Sequence, residues 1–111
     1  TEHTEKLFNQ SVFQDMKKTA FLINTARGAL IEDEDLIKAI QNKDIAGAAI
    51  DVFDEEPPPL NHPLIRESLH NLIITPHIAW AAVEARQRAL LCIAENIDAF
   101  LNDRPINVVN A

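Results

Sequence analysis

The sequence predicts an α/β fold built on a parallel sheet. Three short apolar runs, 20–24 (AFLIN), 45–52 (IAGAAIDV) and 72–75 (LIIT), are separated by helix-like or loop-like segments. Continuous apolar runs are typical of strands buried in parallel sheets, and the long connections suit crossovers between parallel strands. Three strands do not complete a doubly wound domain, and the chain does not begin with Met. We therefore expect it to be part of a longer protein.

The first half of the chain predicts helical turns, a strand and a helix. The polar stretch from Thr1 to Lys18 contains scattered apolar residues and predicts one or two short helical turns before the first strand. After that strand, Leu36, Ile37 and Ile40 recur at helical spacing behind a run of acidic residues. Acidic side chains favour a helix N-terminus, so we predict a helix from Asp33 to Asn42.

The second half predicts a long loop, a strand and an amphipathic helix. The run DEEPPP at 54–59 ends regular structure, and no further element is predicted before Leu72. Long loops in compact domains are often functional. From Val83 to Leu101 apolar residues return every fourth position, which predicts a helix of about five turns that ends before Pro105.

Composition excludes several classes of function. The chain has 111 residues, a formal net charge of −7 and a pI near 4.9. This acidic balance argues against nucleic acid or an anionic membrane surface as a partner. The only two glycines, Gly28 and Gly47, cannot form a three-glycine dinucleotide loop or a Walker A loop. No apolar stretch is long enough to span a bilayer, and no signal peptide opens the chain.

The cysteine and most histidines predict no metal site. Cys92 is the only cysteine, so an internal disulfide and a multi-cysteine metal site are excluded, and we expect it to be a small core residue. His3, His62 and His70 are expected at the surface, and their spacing matches no metal-binding motif.

Polar side chains follow each predicted strand. Arg27 follows the first strand, His77 follows the third, and the second is followed by Asp51, Glu55 and Glu56. Ligands of open α/β sheets bind at the carboxyl ends of the strands. An arginine can clamp a carboxylate, and a histidine beside a carboxylate can exchange a proton near neutral pH. The set fits an anionic substrate such as a 2-oxo or 2-hydroxy acid, although each residue alone also fits a surface ion pair, a solvated loop or a structural role.

The motifs LINTARG, DVFDEEP and TPHIAW occur in this order. They lie within a set of longer runs: TEHTEKL, MKKTAFLINTARGALIEDEDLIKAI, IAGAAIDVFDEEP, NLIITPHIAW and ENIDAFLNDRPINVV. On these runs the chain resembles the C-terminal part of the D-isomer-specific 2-hydroxyacid dehydrogenases, and the resemblance extends over essentially all 111 residues. The stretch PHIAWAAVEARQRA is most similar to the glycerate dehydrogenase (hydroxypyruvate reductase) branch. The resemblance implies the C-terminal half of a Rossmann-type, parallel-sheet NAD-binding domain. It also implies a C-terminal helix that returns to the substrate domain, with a boundary between 1–80 and 81–111.

The resemblance also implies residue roles. Arg27 would bind the substrate carboxylate and 2-oxygen, His77 would be the general acid/base, and Glu56 would hydrogen-bond His77 and raise its pKa. Arg27 and His77 would also border the cofactor. Thr25 and Ala26 would lie beside the nicotinamide, Asp51 would contact its carboxamide, and Trp80 would stand at the substrate pocket. Glu56 takes the place of the glutamine found in the family's formate dehydrogenases, which disfavours formate.

The expected parent protein is a cytoplasmic, homodimeric oxidoreductase that uses NAD or NADP and reduces a 2-oxo acid such as hydroxypyruvate or glyoxylate. The dinucleotide-binding glycine loop would precede Thr1, so the segment alone is expected to be inactive, to bind NAD weakly and to self-associate through the exposed face of its last helix. Three alternatives stay open. The first is a D-lactate- or phosphoglycerate-type dehydrogenase, and the second is an NAD-sensing binding protein similar to the C-terminal-binding-protein corepressors. The third is that the 111-residue chain is itself the natural product and a catalytically inactive remnant.

Overall fold

A computed structural model describes residues 3–109 of the chain. The chain divides into two compact units, Thr1–Ile78 and Ala79–Ala111. The first unit contains all three strands, and the second contains the long C-terminal helix. The assignment of residues 1–80 and 81–111 to a cofactor domain and a substrate domain stays a prediction.

The first unit is a three-stranded parallel sheet with three helices. Its elements are α1 (Gln10–Asp15), β1 (Phe21–Asn24), α2 (Asp33–Gln41), β2 (Gly47–Ile50), α3 (Pro63–Arg66) and β3 (Leu72–Ile74), with a short 3₁₀ turn at Gly28–Leu30. The strand order is β1-β2-β3 and every pairing is parallel. Asn24 lies opposite Ile50, and Ile50 lies opposite Ile74, so the three carboxyl ends are level. The predicted α/β parallel-sheet fold is confirmed.

Helix α2 forms where its charge and apolar patterns predict it. Asp33, Glu34 and Asp35 occupy its first turn, where they favour the positive end of the helix dipole. Leu36, Ile37, Ala39 and Ile40 are buried on one face and pack in the core with side chains from α1, α3 and the strands. Full burial of residues such as Leu36 contributes about 1.5–3 kcal/mol each and fixes α2 against the sheet.

Strand β1 is buried on one side only, which corrects the expectation of a fully buried first strand. In β1, Leu22 and Asn24 are buried, whereas Phe21 and Ile23 are about two-thirds exposed. Ile73 in β3 is also exposed. The reason is that the core of the first unit, which includes Phe13 of α1, Leu36 of α2 and Leu64 of α3, gathers on a single face of the sheet.

The long loop after β2 contains a helix that the sequence did not predict. Residues 63–66 (PLIR) form α3, which begins with a proline, the residue best suited to a first helical turn. Four residues are too few for a helical period to show in the sequence. Leu64 of α3 is fully buried and anchors the loop to the core.

The second unit consists mainly of α4, Val83–Leu101, with the predicted bounds. No residue of α4 is buried within the described part of the chain. Leu90, Ile97 and Leu101 are all more than half exposed. Cys92 on α4 is exposed as well, so its prediction as a core residue is wrong. No helix in residues 3–109 combines the length and hydrophobicity that a membrane span requires.

Candidate active site

A buried carboxylate at the end of β2 holds the turn that carries His77. Asp51 is 4% exposed, and its Oδ1 accepts hydrogen bonds from the Thr75 hydroxyl and from the Ile78 backbone N–H, the latter at 2.9 Å. These donors lie on either side of His77 in the chain. His77 has a φ of 54°, in the left-handed region that few residues other than glycine adopt. A side chain held in such a conformation is a candidate for function.

Glu56 is paired with His77 across the sheet edge. Its Oε2 lies 2.6 Å from His77 Nδ1, and its Oε1 accepts the Phe53 backbone N–H at 2.9 Å. The hydrogen bond with His77, followed by the bond from Phe53, lowers the pKa of Glu56 below its ordinary value of 4.5. Glu56 is therefore ionised at neutral pH, with a defined orientation toward the imidazole.

Glu56 and His77 line a cavity of about 460 Å³ at the carboxyl edge of the sheet. Its walls are mostly apolar, with a few polar groups, as is usual for small-molecule sites. The lining residues are Asp51, Phe53, Glu56, Pro57, Pro58, Ile74, Thr75, Pro76 and His77. The structure thus brings together three of the predicted site residues, Asp51, Glu56 and His77.

Arg27 lies beside a second cavity. This cavity, of about 290 Å³, is lined by Arg27, Gly28 and Asp54 among others, and it shares only Phe53 with the first. The Arg27 side chain is exposed, and its Nη1 donates a hydrogen bond to the Ala26 carbonyl at 2.6 Å. Its role as the clamp for a substrate carboxylate stays a prediction.

Asn24 shapes the turn that carries the predicted cofactor contacts, although the sequence did not single it out. Asn24 is 6% exposed; its Oδ1 accepts the Ala26 N–H at 3.0 Å, and its Nδ2 donates to the Arg27 carbonyl at 2.8 Å. These bonds hold Thr25, Ala26 and Arg27 exposed at the end of β1. The available signal was a single polar residue in the otherwise apolar run 20–24.

Gly28 lets the turn after β1 lie directly on the chain after β2. A Cβ built at Gly28 would collide with the backbone of Phe53 and Asp54. Only glycine permits so close an approach of the two segments. The turn carrying Arg27 and the loop carrying Glu56 are therefore held against each other.

His62 is not a surface residue, which corrects the prediction from sequence. Its side chain is 14% exposed; Nε2 lies 3.2 Å from Asp33 Oδ2, and its ring meets the Phe53 ring edge-on with centroids 4.9 Å apart. His62 lies close to the core because it directly precedes α3, which packs into the core through Leu64. His3 and His70 are exposed, as predicted.

Trp80 belongs to the second unit and is 60% exposed. Its place at a substrate pocket stays a prediction. In residues 3–109, no three His, Cys, Asp or Glu side chains are grouped as a metal ion requires.

Comparison with known proteins identifies the family. Residues 1–79 match the model of the D-isomer specific 2-hydroxyacid dehydrogenase, NAD binding domain. The chain belongs to the D-isomer-specific 2-hydroxyacid dehydrogenases. The predicted family and the Rossmann-type fold are thereby confirmed, and the matched segment belongs to the family's NAD-binding domain.

Named relatives of the family align over nearly the whole chain. A glyoxylate reductase of Thermofilum pendens is 48% identical over 99% of this chain, and a glycerate dehydrogenase of Methylorubrum extorquens is 40% identical over 100%. This chain spans only 32% and 35% of those proteins, about a third of their length. A solved acyclic imino acid reductase in complex with NADPH and D-Arg is 33% identical, with a TM-score of 0.82 over 98% of this chain and 34% of that one.

The residues at the sheet edge fit a nicotinamide cofactor. Exposed Thr25 and Ala26 follow β1, and the largely apolar cavity beside Asp51 suits a flat ring that carries one amide. Asp51 Oδ1 accepts two hydrogen bonds from the turn that carries His77. If Asp51 also bound the carboxamide of the cofactor, the same carboxylate would position both the nicotinamide and the His77 turn.

Proposed function

We propose that the full-length protein is an NAD(P)-dependent reductase of small 2-oxo acids, acting reversibly on D-2-hydroxy acids, with hydroxypyruvate/glycerate or glyoxylate/glycolate as substrates. The observation that carries the proposal is the Glu56–His77 pair, with 2.6 Å between Oε2 and Nδ1, at the mouth of a cavity in an NAD-binding fold. The names of the relatives, glyoxylate reductase and glycerate dehydrogenase, support this substrate class.

In this proposal His77 and Glu56 carry out the proton transfer to and from the substrate. Nδ1 of His77 faces Glu56, so Nε2 is the ring atom that gives a proton to the 2-oxygen during reduction and takes it back during oxidation. The ionised Glu56 fixes the tautomer and stabilises the imidazolium. The bound cofactor supplies or accepts the hydride. Arg27 binds the substrate carboxylate through its planar guanidinium.

The proposal is tested by following NADH and NADPH oxidation by the full gene product that contains this chain. Hydroxypyruvate, glyoxylate, pyruvate and 2-oxoglutarate are offered in parallel. We expect turnover of hydroxypyruvate or glyoxylate, and a loss of about 10²–10⁴-fold in kcat/KM in His77→Asn. His70→Asn, a change at an exposed histidine, serves as the matched control and should retain activity.

Other outcomes favour the alternatives. Preference for pyruvate would indicate a D-lactate-type enzyme. NADH binding without turnover of any 2-oxo acid would refute the enzymatic proposal and favour an NAD-sensing binding protein. The homodimeric assembly and the cytoplasmic location stay predictions.

A further inference from the structure

We propose that His62 is a positioning residue for the acid/base pair: it fastens the loop 54–62 to the start of α2 and so keeps Glu56 in place opposite His77. The inference deepens the proposed function and rests on it for its kinetic consequence. Its structural consequence, the fixed position of Glu56, can be measured independently of activity.

His62 connects two elements that are distant in sequence. Its Nε2 lies 3.2 Å from Asp33 Oδ2 in the first turn of α2, and its ring packs edge-on against Phe53 at the end of the β2 segment. The adjacent α3 is anchored by the fully buried Leu64. His62 is thus supported by the core on one side and contacts the start of the loop on the other.

Phe53 transmits this restraint to Glu56. The Phe53 backbone N–H donates to Glu56 Oε1 at 2.9 Å, while Oε2 faces His77. Phe53 and His62 therefore close the two ends of the segment that carries Glu56. Asp51 holds the turn that carries His77, so the separation of the pair depends on the position of the partly exposed Glu56, and the closure of the loop restrains that position.

The polar surroundings of His62 favour one arrangement of its ring. His62 Nδ1 is buried and has no hydrogen-bond partner in the part of the chain that the structure describes. The tautomer with hydrogen on Nε2 places its donor toward Asp33 and leaves no buried N–H unpaired at Nδ1. Burial raises the pKa of Asp33, and His62 opposes that change.

Other charges also face Asp33. Asp54 and Glu32 raise the pKa of Asp33 further, while Lys6 lowers it. His62 is therefore set against an acidic cluster at the start of α2, and an imidazole is well suited to lie between that cluster and the Phe53 ring.

The test uses the full gene product and two readouts, the titration of the Glu56 carboxyl carbon by ¹³C NMR and steady-state kinetics. His62→Leu removes the polar contact. We expect the Glu56 titration midpoint to rise toward 4.5, because the two hydrogen bonds that lower its pKa are weakened. We expect kcat for 2-oxo acid reduction to fall about tenfold, part of the contribution of an acid/base group, and KM for the cofactor to stay within about twofold.

Conservative and matched variants separate positioning from folding. His62→Gln can present an N–H near the position of Nε2 and should recover most of kcat and the low Glu56 midpoint. Asp33→Ala removes the acceptor that faces His62 Nε2 and should shift the Glu56 midpoint in the same direction as His62→Leu, and it serves if His62→Leu does not fold. His70→Leu, at an exposed histidine, should change neither readout.

The proposal is overturned if folded His62→Leu, or Asp33→Ala in its place, leaves the Glu56 midpoint unchanged. It is also overturned if His62→Leu lowers kcat equally in the wild type and in Glu56→Gln, because a residue that acts through Glu56 has no further effect once that carboxylate is gone. A wild type without turnover of any 2-oxo acid would refute the proposed function alone, since the NMR titration would still decide the role of His62.

Discussion

Replacing Gly28 with alanine tests the close packing between the Arg27 turn and the Glu56 loop. The new Cβ would lie 2.7 Å from Phe53 Cα and closer still to the Phe53 carbonyl carbon and the Asp54 nitrogen. Comfortable carbon–carbon contacts are about 3.5–4.0 Å, so the backbone at residues 53–54 would have to retreat by at least about 1 Å. All three atoms belong to the backbone, and no flexible side chain can move aside in their place.

The expected cost follows from two opposing effects. Overpacking of this kind costs about 1–3 kcal/mol. Gly28 does not have a positive φ, so alanine can adopt its backbone conformation. Alanine also reduces the conformational freedom of the unfolded chain, which stabilises the folded state by about 0.4–1 kcal/mol. We expect a net loss of about 1–2 kcal/mol in the free energy of unfolding, together with a fall in kcat because Phe53 binds Glu56 through its backbone N–H.

Urea denaturation of the full gene product measures the stability change, and the 2-oxo acid assay measures kcat. The matched control is Ala29→Ser, which adds one heavy atom at the neighbouring exposed residue. If Gly28→Ala were within about 0.5 kcal/mol of the wild type with unchanged kcat, the segment at 53–54 would be freely movable and the reasoning would be refuted.

Three further predictions concern the core, the His77 turn and pH. Leu36→Ala should lower the free energy of unfolding, measured by urea denaturation, by about 2–5 kcal/mol, because Leu36 is fully buried. The control Leu36→Met should lower it by less than about 1.5 kcal/mol, and equal losses in the two variants would contradict tight packing at this position. Thr75→Val removes a hydroxyl that donates to the buried Asp51 carboxylate and should lower the free energy of unfolding by about 1.5–3 kcal/mol, whereas Thr75→Ser should retain most of that stability. An unchanged free energy of unfolding in Thr75→Val would show that the hydrogen bond contributes nothing. Because the pKa of Glu56 is lowered on folding, its stabilisation is present above pH 4.5 and is lost as the pH falls through the folded pKa. Urea midpoints of Glu56→Gln should therefore depend less on pH below 4.5 than those of the wild type, and parallel curves would argue against the Glu56–His77 interaction in solution.

Elements with a long or regular signal could be predicted from the sequence. Helix α4 has the predicted bounds because its apolar residues repeat over many positions, and α2 ends one residue before the predicted Asn42. Helix α3 was missed because four residues show no period. The predicted burial of Phe21 and Cys92 is wrong because an apolar pattern shows only which face can be buried, and in the described part of the chain both residues are exposed.

The residue types of the candidate site could be predicted from the sequence, but the contacts between these residues could be described only from the folded structure. Strand ends alone place Asp51 and His77 at one edge of a parallel sheet, but they do not pair Glu56 with His77 across 21 positions. That pairing came from the family's motifs. The contacts of His62 depend on how α3 packs, and no short motif encodes the distance from His62 to Asp33.

The bond from Asp51 to the Ile78 N–H changes how the His77 turn can fluctuate. Ile78 lies just beyond β3 with a half-exposed side chain, yet its amide is fastened to a carboxylate buried at the end of β2. Loops usually open in local fluctuations that cost little free energy, whereas strands open only in larger cooperative units. Because releasing this turn means exposing Asp51, the turn joins the cooperative unit of the sheet. We therefore expect the opening of the His77 turn to cost about as much free energy as the opening of the two strands that precede it.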